Sequence, residues 1–530
     1  MVRMFALRVL PLLVLSSSLL PLWAAAPKPY DPQQNPPRAE TYRRLAAEVE
    51  QHLKQGVLDK WFPRCVDKEH GGFRPNFRED WSPGKNNDKF LVFQARQTWV
   101  AAEVAKRYPE LREQYLGYAR HGVDFLDRTM WDAERGGMFW GLDPTGKIGP
   151  RFGTEKHVYG IAFGIYAAAN AYEATKDKGA LELAQRTFRW LDEHAHDASH
   201  GGYFEALSRE GRPILKPPAP DKARDLLGTA YGYKSMNGHI HLLEAITALY
   251  RVWPERQVEE RLRELLEVVG RKIAVEPGCL NQFFTPDWRP VPEHDSFGHD
   301  VETAYLLVEA AEALGRHSCG AGVPRAKENA GVPSAPRNAG ETPAPQGAPA
   351  AVSADEDVWR VARSLVDHAL QCGWDQQRGG FYDRGVAFGP ACGLEKIWWT
   401  QAEGLNALLL MHARYGRETP RYWNAFLRQW EFIVHYQIDQ KHGEWYEQVS
   451  HDGKPRPGQD KGTIWKAAYH NGRALMNVAE RLRELGDARG PQNTGGPDSK
   501  KNFGRLAVSE PLRQEVARGV LATAKARQDK

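Results

Sequence analysis

The 530-residue sequence predicts an all-α protein, specifically an (α/α)6 barrel built from six helical-hairpin repeats. Two observations lead to this fold class. A short motif recurs at a nearly constant spacing, which is typical of a repeat architecture. Two segments of helix length lie between successive motifs, and the segment after each motif is apolar on more than one face. Six such inner helices and six outer helices make up the barrel.

The recurring motif is Asp, two variable residues, His or Arg, and then Gly-Gly before an aromatic or apolar residue. Five copies begin at Asp67, Asp132, Asp197, Asp375 and Asp439, which gives spacings of 65, 65, 178 and 64 residues. In the last copy Gly-Glu replaces Gly-Gly. The long gap contains a degenerate copy at residues 281–284 and an insert, and together these account for the sixth repeat. Because glycine adopts positive φ readily, the motifs predict short hairpins on one rim of the barrel.

The predicted inner helices follow the motifs and are apolar over most of their surface, as expected for helices buried on all sides. They span residues 90–108, 157–174, 237–250, 299–314, 400–415 and 465–485. The segments before the motifs, such as residues 255–275 and 417–437, have clearer polar faces and are predicted to form the outer ring.

Three segments do not belong to the helical repeats of the predicted barrel domain, which spans residues 38–486: two flank it and one interrupts it. Residues 1–26 carry Arg3, Arg8, an apolar run and three alanines, a pattern typical of a secretory signal peptide. We therefore expect an exported protein, periplasmic or secreted, with no membrane attachment after cleavage. A Pro/Ala/Gly-rich insert at about residues 315–354 predicts disorder, and residues 487–530 form a C-terminal tail.

The composition excludes some classes of function. With 71 basic and 67 acidic residues the net charge is +4, which argues against a general nucleic-acid binder. The 17 Trp, 19 Tyr and 20 Phe residues suit either a sugar-binding cavity or a bulky core. The five cysteines include no Cys-x-x-Cys pair, so we expect neither a structural zinc site nor thioredoxin-like chemistry. We expect a monomer that acts on a small molecule without a cofactor.

Polar residues near the starts of the predicted inner helices are the candidate site, because a barrel brings these ends to one cavity. The histidines are His239, His241, His299 and His470, accompanied by Arg96, Asn237, Trp398, Trp399, Glu403 and Trp465. A single histidine near a helix start is more often a packing or capping residue, but three inner helices carry one at the same level. Arg96 serves either an ion pair or an anionic intermediate, and the tryptophans serve either the core or a sugar platform.

Two carboxylates follow histidines by three residues, Glu244 after His241 and Glu302 after His299. This spacing corresponds to about one helical turn, so each carboxylate could orient its imidazole. Such pairs on facing helices also bind metals in di-iron bundles, which leaves a metal site as an alternative.

At these residues the sequence resembles the N-acylglucosamine 2-epimerase superfamily, and most closely its cellobiose- and mannobiose-acting members. The resemblance spans about residues 40–485 and is most specific at residues 234–245, 298–302, 398–403 and 469–470. It implies the (α/α)6 fold and a cofactor-free inversion of C2 in the reducing-end sugar of β-1,4-linked disaccharides. By similarity, His299 and His470 match the acid/base pair, and His241 matches a third histidine that assists ring opening. The positions that match the substrate side are Arg96, Asn237, Glu302, Trp398, Trp399, Glu403 and Trp465.

The residue types suit this chemistry. Inversion at C2 passes through an enediolate and needs one base and one acid on opposite faces of the carbon. Histidine serves both roles near neutral pH, and Arg96 would stabilise the developing negative charge. The alternatives are an aldose–ketose isomerase of the same superfamily, an (α/α)6 glycoside hydrolase that uses Glu302 and Glu403, and a non-catalytic sugar-binding protein.

Overall fold

The computed structural model describes residues 37–320 and 354–488, and in this part of the chain twelve helices of at least twelve residues follow one another. They confirm the predicted all-α fold. In chain order they are α1 Ala39–Gln51, α2 Leu91–Arg107, α3 Arg112–Phe125, α4 Val158–Thr175, α5 Lys178–Ala195, α6 Met236–Val252, α7 Arg256–Glu267, α8 Phe297–Gly320, α9 Ala354–Cys372, α10 Trp398–Tyr415, α11 Arg421–Phe432 and α12 Tyr469–Asp487.

The even-numbered helices form a closed inner ring. Each packs against the next even-numbered helix, and α12 contacts α2 to close the circle. The odd-numbered helices lie outside, each against one inner helix: α3 on α2, α5 on α4, α7 on α6, α9 on α8, α11 on α10, and α1 on α12. The first helix therefore completes the hairpin of the last one, and the predicted (α/α)6 barrel is confirmed.

The two rings differ in burial as the sequence predicts. Fifteen residues of the inner helix α4 are buried, and they cover its whole circumference. The outer helix α7 buries only Val258, Leu262 and Leu265, which share one face at spacings of four and three residues. A helix that is apolar all round needs neighbours on every side, which only the inner ring provides.

Short strand pairs join neighbouring repeats on one rim. The two residues before an inner helix pair with two residues that follow the next motif. The antiparallel pairs are Lys89–Phe90 with Gly141–Leu142, Lys156–His157 with Ala206–Leu207, Lys234–Ser235 with Phe283–Phe284, Asp295–Ser296 with Arg384–Gly385, and Lys396–Ile397 with Gln448–Val449. Phe283–Phe284 also pairs with Pro290–Val291, and Arg384–Gly385 with Ala391–Gly393.

The recurring motif is a turn held by a buried ion pair. In the first copy Oδ1 of Asp67 accepts hydrogen bonds from the backbone of Glu69 and His70, while Gly71 and Gly72 adopt positive φ. Oδ2 of Asp67 accepts a 2.6 Å hydrogen bond from the buried Lys89, which lies just before α2. The same pairing recurs as Asp132–Lys156, Asp197–Lys234, Asp375–Lys396 and Asp439–Lys461, with N–O distances of 2.5 to 3.1 Å.

The sixth copy of the motif lies upstream of the predicted residues 281–284. Strand Ala274–Val275 pairs with Cys279–Leu280 around Pro277 and Gly278, and this hairpin occupies the place of the other turns. The predicted residues instead include the strand Phe283–Phe284 that links to the preceding repeat. The sequence conceals this copy because Val275 replaces the aspartate and Pro-Gly replaces Gly-Gly.

The flanking predictions fall mostly outside the described residues. The signal peptide at residues 1–26 lies outside them entirely, and so does the tail beyond residue 488. Helix α8 continues to Gly320, beyond the predicted start of the insert near residue 315, and α9 begins at Ala354. Among the described helices, none has the length and hydrophobicity needed to cross a bilayer.

Candidate active site

The predicted site residues meet at the rim where the inner helices begin. His299 and His470 lie in the first turns of α8 and α12, Trp398 begins α10, and His241 and Arg96 lie on the second turns of α6 and α2. Because the ring is closed and every inner helix runs in the same direction, these turns all face one central space.

Three imidazoles are anchored through the same ring nitrogen. Nδ1 of His241 lies 3.0 Å from Oε2 of Glu244, and Nδ1 of His470 lies 2.6 Å from Oε1 of Glu403. Nδ1 of His299 lies 2.7 Å from the hydroxyl of Ser296. Among the described residues Nε2 of each ring has no hydrogen-bond partner, so this nitrogen is available to a ligand.

Arg473 on α12 is the centre of the buried charge network. Its Nη2 donates to Oε1 of Glu302 at 2.6 Å and to Oε1 of Glu403 at 2.7 Å. Its Nη1 donates to Glu244 and to the hydroxyl of Tyr469. All these groups are buried, so one guanidinium compensates three carboxylates that would otherwise be costly inside the barrel.

Arg96 is buried and is paired with no carboxylate of the described chain. It donates to the backbone carbonyl of Trp465 and to the hydroxyl of Tyr159, each at 3.1 Å. Its Nε has no partner, and its guanidinium lies over the rings of Phe163 and Tyr469. Of the two roles left open by the sequence, the ion pair is therefore not formed. A buried cation without a counter-ion is suited to an anionic ligand.

Two aromatic positions line the same space. The half-buried ring of Trp399 has its centroid 4.7 Å from that of His299 and 5.8 Å from that of His470. Trp398 is more deeply buried, and its ring centroid lies 6.3 Å from that of His470. Trp465 is half-buried and packs edge-on against Phe90. Trp399 and Trp465 thus expose ring surface, whereas most of Trp398 belongs to the core.

The remaining predicted substrate residues differ in accessibility. Asn237 is half-buried on the first turn of α6, and its Oδ1 has no hydrogen-bond partner among the described residues. Glu302 and Glu403 are 1% and 0% exposed, and each accepts a hydrogen bond from Arg473. These two carboxylates therefore position other groups rather than contact a substrate directly.

Burial sets the protonation of the site. Burial lowers the pKa of His299 to about 3, with a smaller effect from His241 and His294. Burial, and then the positive charges of Arg96 and Arg473, hold the pKa of His470 well below its usual range. Both rings are consequently neutral at pH 7. The sequence-based argument used the ordinary histidine pKa near 6.5, which this burial changes.

The pKa values of two carboxyl groups of the site are shifted in opposite directions. Burial, and then repulsion from Glu403, raises the pKa of Glu302 to about 7. Burial alone would also raise the pKa of Glu244, but Arg473 and His241 together lower it to about 2. Of these two carboxyl groups, Glu302 is therefore the one that takes up a proton near neutral pH, whereas Glu244 stays ionised.

The two His-x-x-Glu pairs do not behave alike. Glu244 orients His241 as the spacing predicts, whereas Glu302 contacts Arg473 and His299 is oriented by Ser296. Arg473 already supplies the positive charge that a metal would bring to these carboxylates. His239 is a structural residue, because its two ring nitrogens are bonded to the carbonyl of Ser235 and the amide of Tyr203.

Sequence reasoning missed several groups of the site. Arg473, Tyr469 and Ser296 were not assigned roles, although they lie within or beside the motifs that carry the histidines, and Tyr159 at the start of α4 was also missed. An arginine on a helix as buried as α12 was the available indication, because a buried guanidinium requires acidic partners.

The chain is similar to known sugar epimerases and isomerases. The sequence model of the N-acylglucosamine 2-epimerase (GlcNAc 2-epimerase) family matches residues 71–327 and 348–474. A cellobiose 2-epimerase of Bacteroides fragilis is 31% identical over 437 residues, which cover 82% of this chain and 98% of that protein. A D-mannose isomerase of Marinomonas mediterranea is 24% identical over 449 residues, covering 82% and 97% of the two chains.

A solved structure shows the same architecture. The cellobiose 2-epimerase from Spirochaeta thermophila superposes with a TM-score of 0.68 at 29% sequence identity. The match covers 84% of this chain and 98% of that one. The two barrels therefore correspond over their full length. The residues that remain unmatched belong almost entirely to this chain.

Proposed function

Because the chain belongs to the N-acylglucosamine 2-epimerase family and is a carbohydrate epimerase of the isomerase class, we propose that it inverts C2 at the reducing end of β-1,4-linked disaccharides. The substrates are of the cellobiose and mannobiose type. One observation carries the enediolate chemistry: two neutral imidazoles with free Nε2 atoms, His299 and His470, lie near each other and near the unpaired Arg96.

The reaction begins with a proton transfer. In the open-chain aldose the carbonyl group acidifies the proton on C2, and a neutral imidazole removes it through Nε2. Because their pKa values are lowered, His299 and His470 are both unprotonated before the reaction, and either ring can accept a proton. An enediolate formed between them raises both pKa values, because an adjacent negative charge favours the protonated ring. One ring can then donate a proton on the face opposite to that from which the other removed it.

The other groups of the site have distinct roles in this proposal. Arg96 faces the enediolate oxygen and stabilises its charge as it develops, in a cavity where water does not screen it. His241, oriented by Glu244, assists the opening of the sugar ring. Trp399 and Trp465 provide ring surface for the sugar faces.

Two other reactions are less well supported. An aldose–ketose isomerase uses the same enediolate but returns the proton to C1, and a D-mannose isomerase is among the relatives. It is the second candidate because no described group distinguishes C1 from C2. A glycoside hydrolase needs two carboxyl groups that flank the bond. Glu302 and Glu403 are both buried against Arg473 and do not fit that requirement.

The test is incubation of the pure protein with cellobiose or mannobiose in heavy water, followed by NMR. We expect the C2 epimer to form with deuterium at C2. A ketose product would establish the isomerase instead, and released monosaccharide would establish a hydrolase. Recovery of unchanged substrate without deuterium would contradict enediolate chemistry altogether.

We further propose that the protein is exported and acts as a monomer, as the first 26 residues and the self-contained barrel suggest. Amino-terminal sequencing of the mature protein should find that this segment has been removed. Light scattering of the same sample should give the mass of one chain.

A further inference from the structure

The sixth repeat lacks the buried ion pair that holds the other five turns. Strand Asp295–Ser296 precedes α8 just as Lys396–Ile397 precedes α10, so Asp295 occupies the position of the lysine. Val275 occupies the position of the motif aspartate. An acid thus stands where each neighbouring repeat has a buried ammonium group, and the group that faces it is His368.

Three potential ligands converge at this position from three elements. They are Cys279 in the turn, Asp295 before α8 and His368 on the last turns of α9, and their ligand atoms all lie within 4.8 Å of one another. The three residues are 0%, 3% and 4% exposed. Nε2 of His368 and Oδ2 of Asp295 face each other at 3.8 Å, and neither atom has a hydrogen-bond partner in the described chain.

The surroundings hold the two unpartnered groups in place. The backbone amides of Phe388 and Gly389 lie beside the carboxylate of Asp295. Oδ2 of Asp300 lies 3.4 Å from Nδ1 of His368 on the other side of the ring. A carboxylate on the second nitrogen of an imidazole is the usual way in which proteins orient a metal-binding histidine.

We propose that Cys279, Asp295 and His368 bind one divalent transition-metal ion of the zinc type. Thiolate, imidazole and carboxylate are the ligands that zinc uses, at bond lengths of about 2.0 to 2.3 Å. Ligand atoms within 4.8 Å of one another need only a small contraction to reach a tetrahedral arrangement. Cys372, one turn after His368 on the same helix, contacts it and offers a second thiol for the fourth position.

The site is distinct from the proposed catalytic centre. His299 faces the central cavity from α8, whereas its neighbour Asp300 points to α9 in the outer ring. The metal therefore joins the sixth turn, the start of α8 and the end of α9, in place of the aspartate–lysine pair. No sequence pattern indicates this site, because the three ligands are spread over 90 residues without a recognisable spacing.

The test uses the full-length protein, stripped with a chelator and reloaded with Zn²⁺ or Co²⁺. We expect one equivalent of metal by elemental analysis and, with Co²⁺, a thiolate charge-transfer band together with strong tetrahedral d–d bands. Reloading should raise the melting temperature of the stripped protein, because an ion that binds only the folded state stabilises it. Failure to bind either ion would overturn the proposal.

Variants locate the ion. Cys279→Ser should abolish the charge-transfer band and Asp295→Asn should weaken binding at least tenfold, whereas Cys392→Ser, which alters an exposed thiol, should leave both unchanged. If Cys279→Ser does not fold, the Asp295→Asn variant and the stripped wild-type protein still provide the comparison. Binding that persists unchanged in Cys279→Ser would place the metal elsewhere and contradict the proposal. Epimerase activity of the stripped protein is measured separately and should persist, so the two proposals can fail independently.

Discussion

Nδ1 of His470 lies 2.6 Å from Oε1 of Glu403, and the same oxygen accepts a 2.7 Å hydrogen bond from Arg473. The carboxylate thus divides its charge between a permanent cation and an imidazole that is neutral at rest. When His470 takes up a proton, Glu403 compensates the new charge without any movement of the ring. Rather than contacting the sugar, Glu403 acts as a positioning residue.

The first prediction follows from this contact. Glu403→Gln keeps the shape of the side chain but cannot stabilise the imidazolium, so kcat should fall at least about tenfold with little change in KM. The pH profile of kcat should also shift, which a merely structural defect would not cause. Glu264→Gln removes a carboxylate from His196 outside the cavity and is the matched control. Equal losses in the two variants would contradict the role given to Glu403.

The second prediction concerns the centre of the network. Arg473→Met leaves Glu244, Glu302 and Glu403 buried without a cation, which should cost about 3–5 kcal/mol of unfolding free energy. Urea denaturation monitored by circular dichroism measures it. Arg256→Met on the exposed face of α7 is the control and should cost less than about 1 kcal/mol.

The loss of unfolding free energy caused by Arg473→Met should also depend on pH. Without the guanidinium the buried carboxylates have pKa values above those of the unfolded chain, so the folded state binds more protons and loses stability as the pH rises. The loss relative to wild type should therefore shrink between pH 7 and pH 5. A deficit that is constant over this range would show that Arg473 does not act through these charges.

The third prediction is the pH dependence of activity. The pKa of His299 is about 3, so this ring stays neutral from pH 7 to pH 5 and kcat/KM should show no histidine inflection near 6.5. A change near pH 7, if observed, belongs to Glu302, whose pKa is about 7, and it should vanish in Glu302→Gln. An inflection near 6.5 that survives this substitution would contradict the neutral-base assignment.

Stability should depend on the protonation of these histidines even though activity does not. Below pH 6.5 a histidine in the unfolded chain binds a proton while the buried His299 and His470 do not. At these two positions the unfolded state then carries more protons, so their contribution to stability falls as the pH is lowered. Melting temperatures measured alongside kcat/KM separate this effect from catalysis.

The fourth prediction concerns the insert. Helices α8 and α9 pack as a hairpin although Gly320 and Ala354, where they end and begin, are separated by a Pro/Ala/Gly-rich segment. Such a composition predicts no packed core. Deletion of residues 323–353 should therefore change the melting temperature by less than about 5 °C, and activity should be retained. A larger fall would mean that the segment contributes to the sixth repeat.

The ring of helices was predictable because it depends on local patterns. Hydrophobic periodicity separates the inner set from the outer set, and the spacing of Asp67, Asp132 and Asp197 sets the repeat length. The sixth turn was placed too far downstream, because a valine and a Pro-Gly pair replaced the residues that define the motif. A local sequence pattern does not locate a repeat whose motif residues have been replaced.

The pairing of charges was not predictable from spacing. Glu302 lies one turn after His299 and was expected to orient it, yet the structure pairs it with Arg473, 171 residues further along the chain. His299 is oriented instead by Ser296, the last residue before its helix. Which carboxylate meets which cation depends on the rotation of neighbouring inner helices, which the sequence of one helix does not specify.

The last prediction tests the two bases directly. If His299 and His470 act on opposite faces of C2, each removes the proton of one epimer and returns it to the other. His299→Asn and His470→Asn should each lose at least about 10²-fold of net epimerisation. In heavy water the variant that keeps the base for a given substrate should still exchange deuterium into that epimer without inverting it. The other variant should exchange nothing from that substrate, and the pattern should reverse with the opposite epimer.

Two controls make the exchange experiment decisive. His241→Asn should slow both directions alike, since ring opening precedes either proton transfer, and His435→Asn, at an exposed position of the outer ring, should have no effect. Initial rates from both epimers, followed by NMR, give the comparison. If the His299 and His470 variants both retain more than about a tenth of wild-type activity, neither ring is an essential acid or base, and the enediolate must exchange its proton with another group that faces the unpaired Arg96.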